Sequence, residues 1–310
     1  MTLQRILVIL NPSSGQGDAE ESRQLIEDVL EARALGFDVR LTSGKDDALE
    51  WAKNAEREGY DGVVAAGGDG TMMEALNGLL KAKSSLPLFV VPLGTANGLA
   101  RTLKLPLEPG RALEAALEGD TMTFDVGYVV QRDHYFLLFA GAGYDAQVIK
   151  EADREQKDKY GFMAYVYAAF KQLGKRRNQR MTLRLDGKPL RLFAHSVVIL
   201  NANEFVLAGI PIGPKANAND GKFDIVVLRD PSAWGTFREV LGLLIHRLQP
   251  KPQPVLQASS LVIETLRPLP FQTDGDEMGE TPLEINVKPN AATFAVPKAY
   301  LESLEKEANP

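Results

Sequence analysis

The sequence predicts an α/β domain built on a parallel sheet, followed by a mainly antiparallel β domain: an α/β plus β fold. Three observations predict it. From the N-terminus to about residue 122, short apolar runs alternate with helical periods, and this βαβα order gives a parallel sheet covered by helices. Three of these runs end in a small, polar, glycine-containing loop that leads into a helix. Beyond Asp125 the pattern changes to β runs separated by turn signals.

Taken in order, Ile6 to Leu10 is the first strand, followed by Asn11-Pro12-Ser13-Ser14-Gly15-Gln16-Gly17 and a Glu-rich helix over Asp18 to Ala34. Phe37 to Thr42 is a strand and Lys45 to Glu58 a helix. Asp61 to Ala66 is a strand that ends in Gly67-Gly68-Asp69-Gly70-Thr71, with a helix from Thr71 to Lys83. Leu88 to Val91 runs into Pro92-Leu93-Gly94-Thr95-Ala96-Asn97-Gly98, a short helix starts near Leu99, and Gly110 to Glu118 is a helix stopped by Gly119. The β runs that follow are Phe124 to Val130, Tyr135 to Ala140, Met181 to Leu185, Arg191 to Asn201, Phe223 to Leu228, Ser260 to Thr265 and Leu283 to Val287. Asp186-Gly187 between two of them is a hairpin turn. Helical inserts are expected at Gly161 to Leu173 and Trp234 to Leu248, an extended connector at Gln249 to Pro254, and a final helix at Pro297 to Glu307.

The loops carry the chemistry. A buried strand that ends in glycines and opens a helix builds an anion site: the glycines let backbone N–H groups approach, and the helix terminus adds partial positive charge. Asp69 within that turn would repel a bare phosphate, so it suits a divalent cation between the two, or a nucleotide hydroxyl. In an open α/β sheet such loops gather at the carboxyl ends of the strands, where ligands bind.

Composition narrows the classes. A chain of 310 residues with 45% hydrophobic and 25% charged residues is that of a soluble globular protein of one large or two ordinary domains. A net charge of −6 speaks against a general nucleic-acid binder. The chain has no cysteine, which excludes disulfides, thiol catalysis and cysteine-ligated zinc. The first strand is too short for a secretory core and no apolar run reaches membrane-spanning length, so a cytoplasmic protein is expected. His134, His195 and His246 lack metal-ligand spacing. No Walker A pattern and no protein-kinase signature occurs. Gly141-Ala142-Gly143-Tyr144-Asp145-Ala146 fits a dinucleotide fingerprint, but it lies in the β-rich half and the charged Glu151 to Lys159 segment follows it; glycines at a close strand crossing are the better reading.

The ordered set Asn11 to Gly15, Gly67 to Thr71, Pro92 to Asn97, Gly141 to Ala146 and Asp274-Gly275-Asp276 resembles the diacylglycerol kinase catalytic family, which includes soluble bacterial lipid kinases and sphingosine kinases and is distantly related to NAD kinases. The resemblance covers essentially the whole chain. It implies a phosphofructokinase-like N-terminal α/β domain over residues 1–124, with 296–310 packing back on it. A C-terminal antiparallel β-sandwich over residues 125–295 would take the lipid substrate, with ATP in the cleft between the two. Carried over by position, Asn11, Ser13, Ser14 and Gly15 would receive the nucleotide phosphates and Thr42 the adenosine. Gly67, Gly68, Asp69, Gly70 and Thr71 would lie along the phosphates with Asp69 near Mg2+, and Thr95 and Asn97 would make further nucleotide contacts. Asp274 would support the site, and Asp276 stands where the family usually has the glutamate proposed as general base. Asn217, Asp220 and the carbonyl of Lys222 stand where relatives hold a structural magnesium.

Two positions depart from the family pattern: Gly98 in place of an aspartate, which leaves Asp69 and Asp125 for the metal, and Asp276 in place of glutamate. Glu277 would replace Asp276 if the loop is displaced by one residue. Three readings therefore stand together: a kinase of a lipid hydroxyl, a soluble-substrate kinase of the NAD kinase type, and a nucleotide-binding regulator without activity. The basic stretch Lys171 to Arg191 follows the aromatic segment Phe162 to Phe170, a pairing suited to transient contact with an anionic membrane at its inner face or to a solvated surface. The oligomeric state is left open, a homodimer included.

Overall fold

Ile6 to Leu10 and Val63 to Ala66 have no exposed side-chain surface, because they form the inner strands of a sheet covered on both faces. The computed structural model describes residues 3–15, 19–143, 177–201, 205–207, 210–212, 219–230 and 255–308. The chain divides into two units, Met1–Phe124 with Asn290–Pro310, and Asp125–Pro289. The helices expected at Gly161 to Leu173 and Trp234 to Leu248, the aromatic segment, the connector at Gln249 to Pro254 and Asn217 lie outside the described residues.

In the first unit, β1 (Arg5–Leu10), β2 (Gly36–Leu41), β3 (Gly62–Gly67) and β4 (Leu88–Pro92) form a parallel sheet in the order β2-β1-β3-β4. The helices are α1 (Ala19–Ala32), α2 (Asp47–Ala55), α3 (Asp69–Ala82), α4 (Gly98–Thr102), α5 (Pro109–Glu118) and α6 (Lys298–Ala308). They pack as α1 with α5 and α2 with α3. Right-handed crossovers put the α1 and α2–α3 connections on opposite faces of a sheet in this order. The α2–α3 contact depends on Gly78, where a Cβ would collide with the Leu49 carbonyl. Strand order reverses beside β1: the chain leaves β1 for β2 on one side and returns to β3 on the other. That reversal opens a crevice at the carboxyl ends of β1 and β3.

The second unit is antiparallel. Its strands are the end of β5 (Asp120–Val129), β6 (His134–Phe136), β7 (Phe139–Ala142), β8 (Gln179–Leu185), β9 (Lys188–Ala194), β10 (Ser196–Leu200), β11 (Phe205–Leu207), β12 (Ile210–Ile212), β13 (Phe223–Leu228), β14 (Leu256–Ala258), β15 (Ser260–Thr265), β16 (Pro270–Thr273), β17 (Asp276–Glu280) and the first half of β18 (Leu283–Val296). One sheet runs β14-β13-β10-β7-β16-β17 and another runs β18-β15-β8-β9. Alternate residues of both fill one core that includes Phe136, Phe223, Phe271, Leu183, Ile199, Leu261 and Ile285, with the Phe136 and Phe223 rings stacked 5.8 Å apart. The fold is thus an N-terminal α/β domain with a parallel sheet and a C-terminal antiparallel β domain, as the sequence predicts.

Three strands differ from expectation, each for a physical reason. Tyr135 to Ala140 is not one strand but β6 and β7, because the N–H groups of Leu137, Leu138 and Phe139 turn to the Asp274 carboxylate. Arg191 to Asn201 breaks at His195, whose N–H donates to the Leu228 carbonyl as the chain passes from one sheet to the other. Leu283 to Val287 continues to Val296, since the same strand pairs with β15 at one end and with β4 at Phe294.

Candidate functional site

The parallel register brings four loops to one edge of the first unit. Leu10 pairs with Leu41 and with Ala66, and Gly67 with Pro92, so the segments beginning at Asn11, Thr42, Gly68 and Leu93 leave side by side. Backbone bonds continue the sheet into them: Asn11 N–H to Ala66 O (2.9 Å), Thr42 N–H to Leu10 O (2.9 Å) and Leu93 N–H to Gly67 O (2.8 Å).

Side chains then bind the loops to one another. Asn11 donates through Nδ2 to Thr71 Oγ1 at 3.1 Å, and its Oδ1 accepts the Ser13 N–H at 2.9 Å. Ser14 Oγ accepts the Gly68 N–H at 3.2 Å. Asn97, in the left-handed region at φ 48, donates to the Gly94 carbonyl, while its Oδ1 is buried without a partner among the described residues. A buried amide oxygen in that condition is costly, and a donor supplied by a ligand would relieve it. Ser13, Gly15, Thr95 and Gly70 are exposed at this edge, and Thr42 is half-buried.

Asp69 is the first residue of α3 rather than part of a longer turn. The first bond of the helix runs from Met72 N–H to Gly68 O, so the N–H groups of Asp69, Gly70 and Thr71 precede the intrahelical ladder. The α3 terminus stands beside β1, at the strand-order reversal, where an anion would find both the dipole and amides outside the ladder. The Asp69 carboxylate is committed in another direction. Its two oxygens accept the N–H groups of Gly98 and Leu99, each at 3.0 Å, and so cap α4. Gly98, the position where the family has aspartate, therefore presents its amide to Asp69.

The glycines are separable by what surrounds them. A Cβ on Gly94 would lie 2.8 Å from Gly68 Cα, backbone against backbone, and one on Gly67 would meet the Thr71 side chain at 2.6 Å. A Cβ on Gly70 would meet nothing within 4 Å. Gly94→Ala is expected to force the two loops apart at a cost of about 1–3 kcal/mol. Gly70→Ala, in a helical first turn, is expected to stabilise by about 0.5–1 kcal/mol, and to weaken nucleotide binding where the nucleotide takes the open space over Gly70. Melting temperatures and ATP dissociation constants of the two variants check this, and unchanged ATP affinity in Gly70→Ala would remove the α3 terminus from the site.

The second unit holds the other candidates. Asp274-Gly275 forms the two-residue turn between β16 and β17, with φ of 47 and 92. The Asp274 carboxylate accepts three backbone N–H groups, from Leu137 (2.8 Å), Leu138 (3.0 Å) and Phe139 (2.9 Å). Those bonds make it an anchor that fixes the turn against the β6–β7 segment. Asp276 and Glu277 follow, both exposed, opposite Thr273 and Gln272 respectively. Successive strand residues point to opposite faces, so the two carboxylates serve different sides of the hairpin.

Asp125, 2% exposed, accepts the Gly221 N–H at 2.7 Å, and Asp220 accepts the Lys222 N–H at 2.9 Å. Asp125 is thereby tied to the same turn as Asp220 and Lys222. Among the described residues no three His, Cys, Asp or Glu side chains come close enough to hold a metal ion. Asn201 was not singled out by the sequence. Its Nδ2 donates to the carbonyls of Asp125 and Leu137, both at 2.8 Å, and so links the Asp125 and Asp274 networks. The signal available was a lone amide directly after the apolar run Val197 to Leu200. Gly141 and Ala142 lie inside β7, between β10 and β16, and Gly143 packs against His195 and Ser196. Gly141 and Ala142 are therefore strand residues, and Tyr144 to Ala146 lie outside the described residues.

Comparison with known proteins agrees with this layout. The sequence pattern of the diacylglycerol kinase catalytic domain matches residues 5–129, and that of the YegS C-terminal NAD kinase beta sandwich-like domain matches residues 139–296. The uncharacterized protein sll0036 of Synechocystis sp. is 26% identical over 306 residues, covering 94% of this chain and 70% of that one. A diacylglycerol kinase of Staphylococcus aureus is 28% identical over 297 residues, covering 94% of this chain and 92% of that one. The crystal structure of a diacylglycerol kinase from Bacillus anthracis superposes with a TM-score of 0.79 at 25% identity, over 96% of this chain and 99% of that one. No helix among the described residues is long and apolar enough to cross a membrane. With two matched domains that together span nearly its whole length, the chain belongs to the diacylglycerol kinase family and is a kinase of that family.

Proposed function

We propose that this enzyme transfers the γ-phosphoryl group of ATP, taken as its magnesium complex, to the hydroxyl of diacylglycerol or a related amphiphile, acting from the cytoplasm. The observation that carries the reading is the convergence of Asn11, Ser14, Gly68, Asp69 and Asn97 around the α3 terminus at the strand-order reversal, in a chain similar to a diacylglycerol kinase over most of its length.

Phosphoryl transfer asks for positioning and for charge stabilisation more than for covalent chemistry. In this reading the amides of α3 and of the Ser13–Gly15 loop receive phosphate oxygens, and Asn97 Oδ1 accepts from the nucleotide. Magnesium commonly keeps several waters and takes only one or two carboxylates along with the phosphates. Asp69 would serve as such a carboxylate through the lone pairs left over, since each oxygen accepts one amide and can take a second partner. For the structural magnesium, Asp220 and the Lys222 carbonyl would act with Asn217, which lies outside the described residues. Asp276 is the proposed base. It takes the proton of the acceptor hydroxyl as that oxygen bonds to the γ-phosphorus, the bond from phosphorus to the bridging oxygen breaks, and ADP leaves. Asp274 and Asn201 position that hairpin.

The match of the C-terminal domain to an NAD kinase beta sandwich-like pattern supports NAD as a second acceptor to test. Radiolabelled ATP offered with diacylglycerol, sphingosine, glycerophospholipids and NAD decides. Label in diacylglycerol or a similar lipid is the expected result, and label in NAD would replace the lipid reading. ATP binding with no transfer to any acceptor, across several divalent metals, would leave a regulator.

A further inference from the structure

The outer face of β15, β8 and β9 carries two exposed apolar side chains among arginines. Cross-strand pairing arranges the face in rows. Leu266, whose N–H donates to the Arg180 carbonyl, stands beside Arg180, which pairs with Phe193. The next row is Glu264, Thr182 and Arg191, and the third is Val262, Arg184 and Pro189. The alternate residues Met181, Leu183, Leu190, Leu192, Leu261 and Ile263 face the core, so Phe193 and Leu266 have no place in it. Phe193 is 58% exposed and Leu266 72%.

The charge on this face runs against that of the whole chain, whose net charge is −6. Arg184 pairs with Glu264 at 3.3 Å, but Arg180 and Arg191 make no ion pair among the described residues. Lys188 and Arg267 flank the same rows. Asp186, in the turn between β8 and β9, is already satisfied by the Ser259 hydroxyl and the N–H groups of Ser259 and Ser260. Beyond β15 the face turns acidic at Glu284, opposite Val262, so the basic character belongs to β8 and β9. Exposed large apolar groups set among cations suit an anionic bilayer: the hydrocarbon enters the headgroup layer and the guanidinium groups meet lipid phosphates. A second copy of the chain adding its strand to β9 is disfavoured, because Lys188, Pro189 and Arg191 blunt that edge.

We propose that the outer face of β8, β9 and the β15 end is a docking surface for an anionic lipid bilayer, with Phe193 and Leu266 inserted and Arg180, Arg191 and Arg267 pairing with phosphates. The choice of occupant rests on the lipid-kinase reading above, because an acceptor held in a membrane requires the enzyme to meet that membrane. Sedimentation with phosphatidylcholine vesicles, with and without phosphatidylglycerol, tests the surface. The full chain should bind the phosphatidylglycerol vesicles, far less the neutral ones, and lose binding as salt rises. Each of Arg180→Gln and Arg191→Gln should weaken partition about fivefold. Phe193→Ser with Leu266→Ser should weaken it further while the circular dichroism spectrum and turnover on detergent-dispersed diacylglycerol stay unchanged. Equal vesicle binding by the wild type and these variants would overturn the proposal. So would a wild-type chain that ignores the vesicles and forms a dimer broken by Phe193→Ser, which assigns the face to a second copy. Vesicle binding lost in the variants, in a protein that phosphorylates no lipid, would uphold the surface and overturn the lipid-kinase reading.

Discussion

Asp69→Asn is expected to lower phosphoryl transfer by on the order of a hundredfold or more. The carboxylate is the acidic group in the first turn of α3, and the proposed magnesium–nucleotide complex depends on it. The same substitution has a separate structural cost. Asp69 accepts two amides, from Gly98 and Leu99, while an asparagine side chain has only one oxygen to offer and turns an NH2 group toward the other N–H. Loss of such charge-assisted bonds costs about 1.5–3 kcal/mol, enough to lower the melting temperature by several degrees in a unit of this size without unfolding it. Turnover, circular dichroism and ADP binding measured together separate the two effects. A folded variant that binds ADP but has lost turnover fits the proposed role. Near-wild-type turnover with a lowered melting temperature would confine Asp69 to holding α4.

The second large effect concerns Asp276 and Glu277. If Asp276 is the general base, Asp276→Asn should reduce turnover strongly and leave ATP affinity nearly unchanged, because the lost interaction belongs to the transition state. Asp276→Glu restores the family's usual residue and should be tolerated if the site has room for one more methylene. The hairpin makes the competing assignment testable. Asp276 sits opposite Thr273 and Glu277 opposite Gln272, so the two side chains leave opposite faces of β17 and cannot both approach the same hydroxyl. Glu277→Gln should therefore be nearly silent. The reverse pattern would move the base to Glu277, and two active variants would remove the hairpin from the chemistry. In both variants the Asp274 bonds to Leu137, Leu138 and Phe139 remain, so the fold of the turn is not in question.

What the sequence by itself determined is periodic or local. Short uninterrupted apolar runs such as Ile6 to Leu10 and Val63 to Ala66, closed by glycine-containing segments, read as strands buried on both faces. Their alternation with helices was enough to predict the parallel sheet, and the change of pattern after Asp125 was enough for an antiparallel domain. The loops that approach one another in the first unit were legible for the same reason, since every parallel strand delivers its C-terminal loop to one edge. Tertiary structure alone decided the rest, because it depends on contacts between residues far apart in the chain. No local pattern says that Asp69 will bond to amides about thirty positions away, or that Asp274 will interrupt a strand more than a hundred and thirty residues earlier. Asn201 is one amide in a row of ordinary residues until the fold sets it between Asp125 and Leu137. Phe193 is, in the sequence, one apolar residue of the expected β run Arg191 to Asn201, with no face assigned to it. Only its pairing with Arg180, which fixes the face it occupies, places it toward solvent.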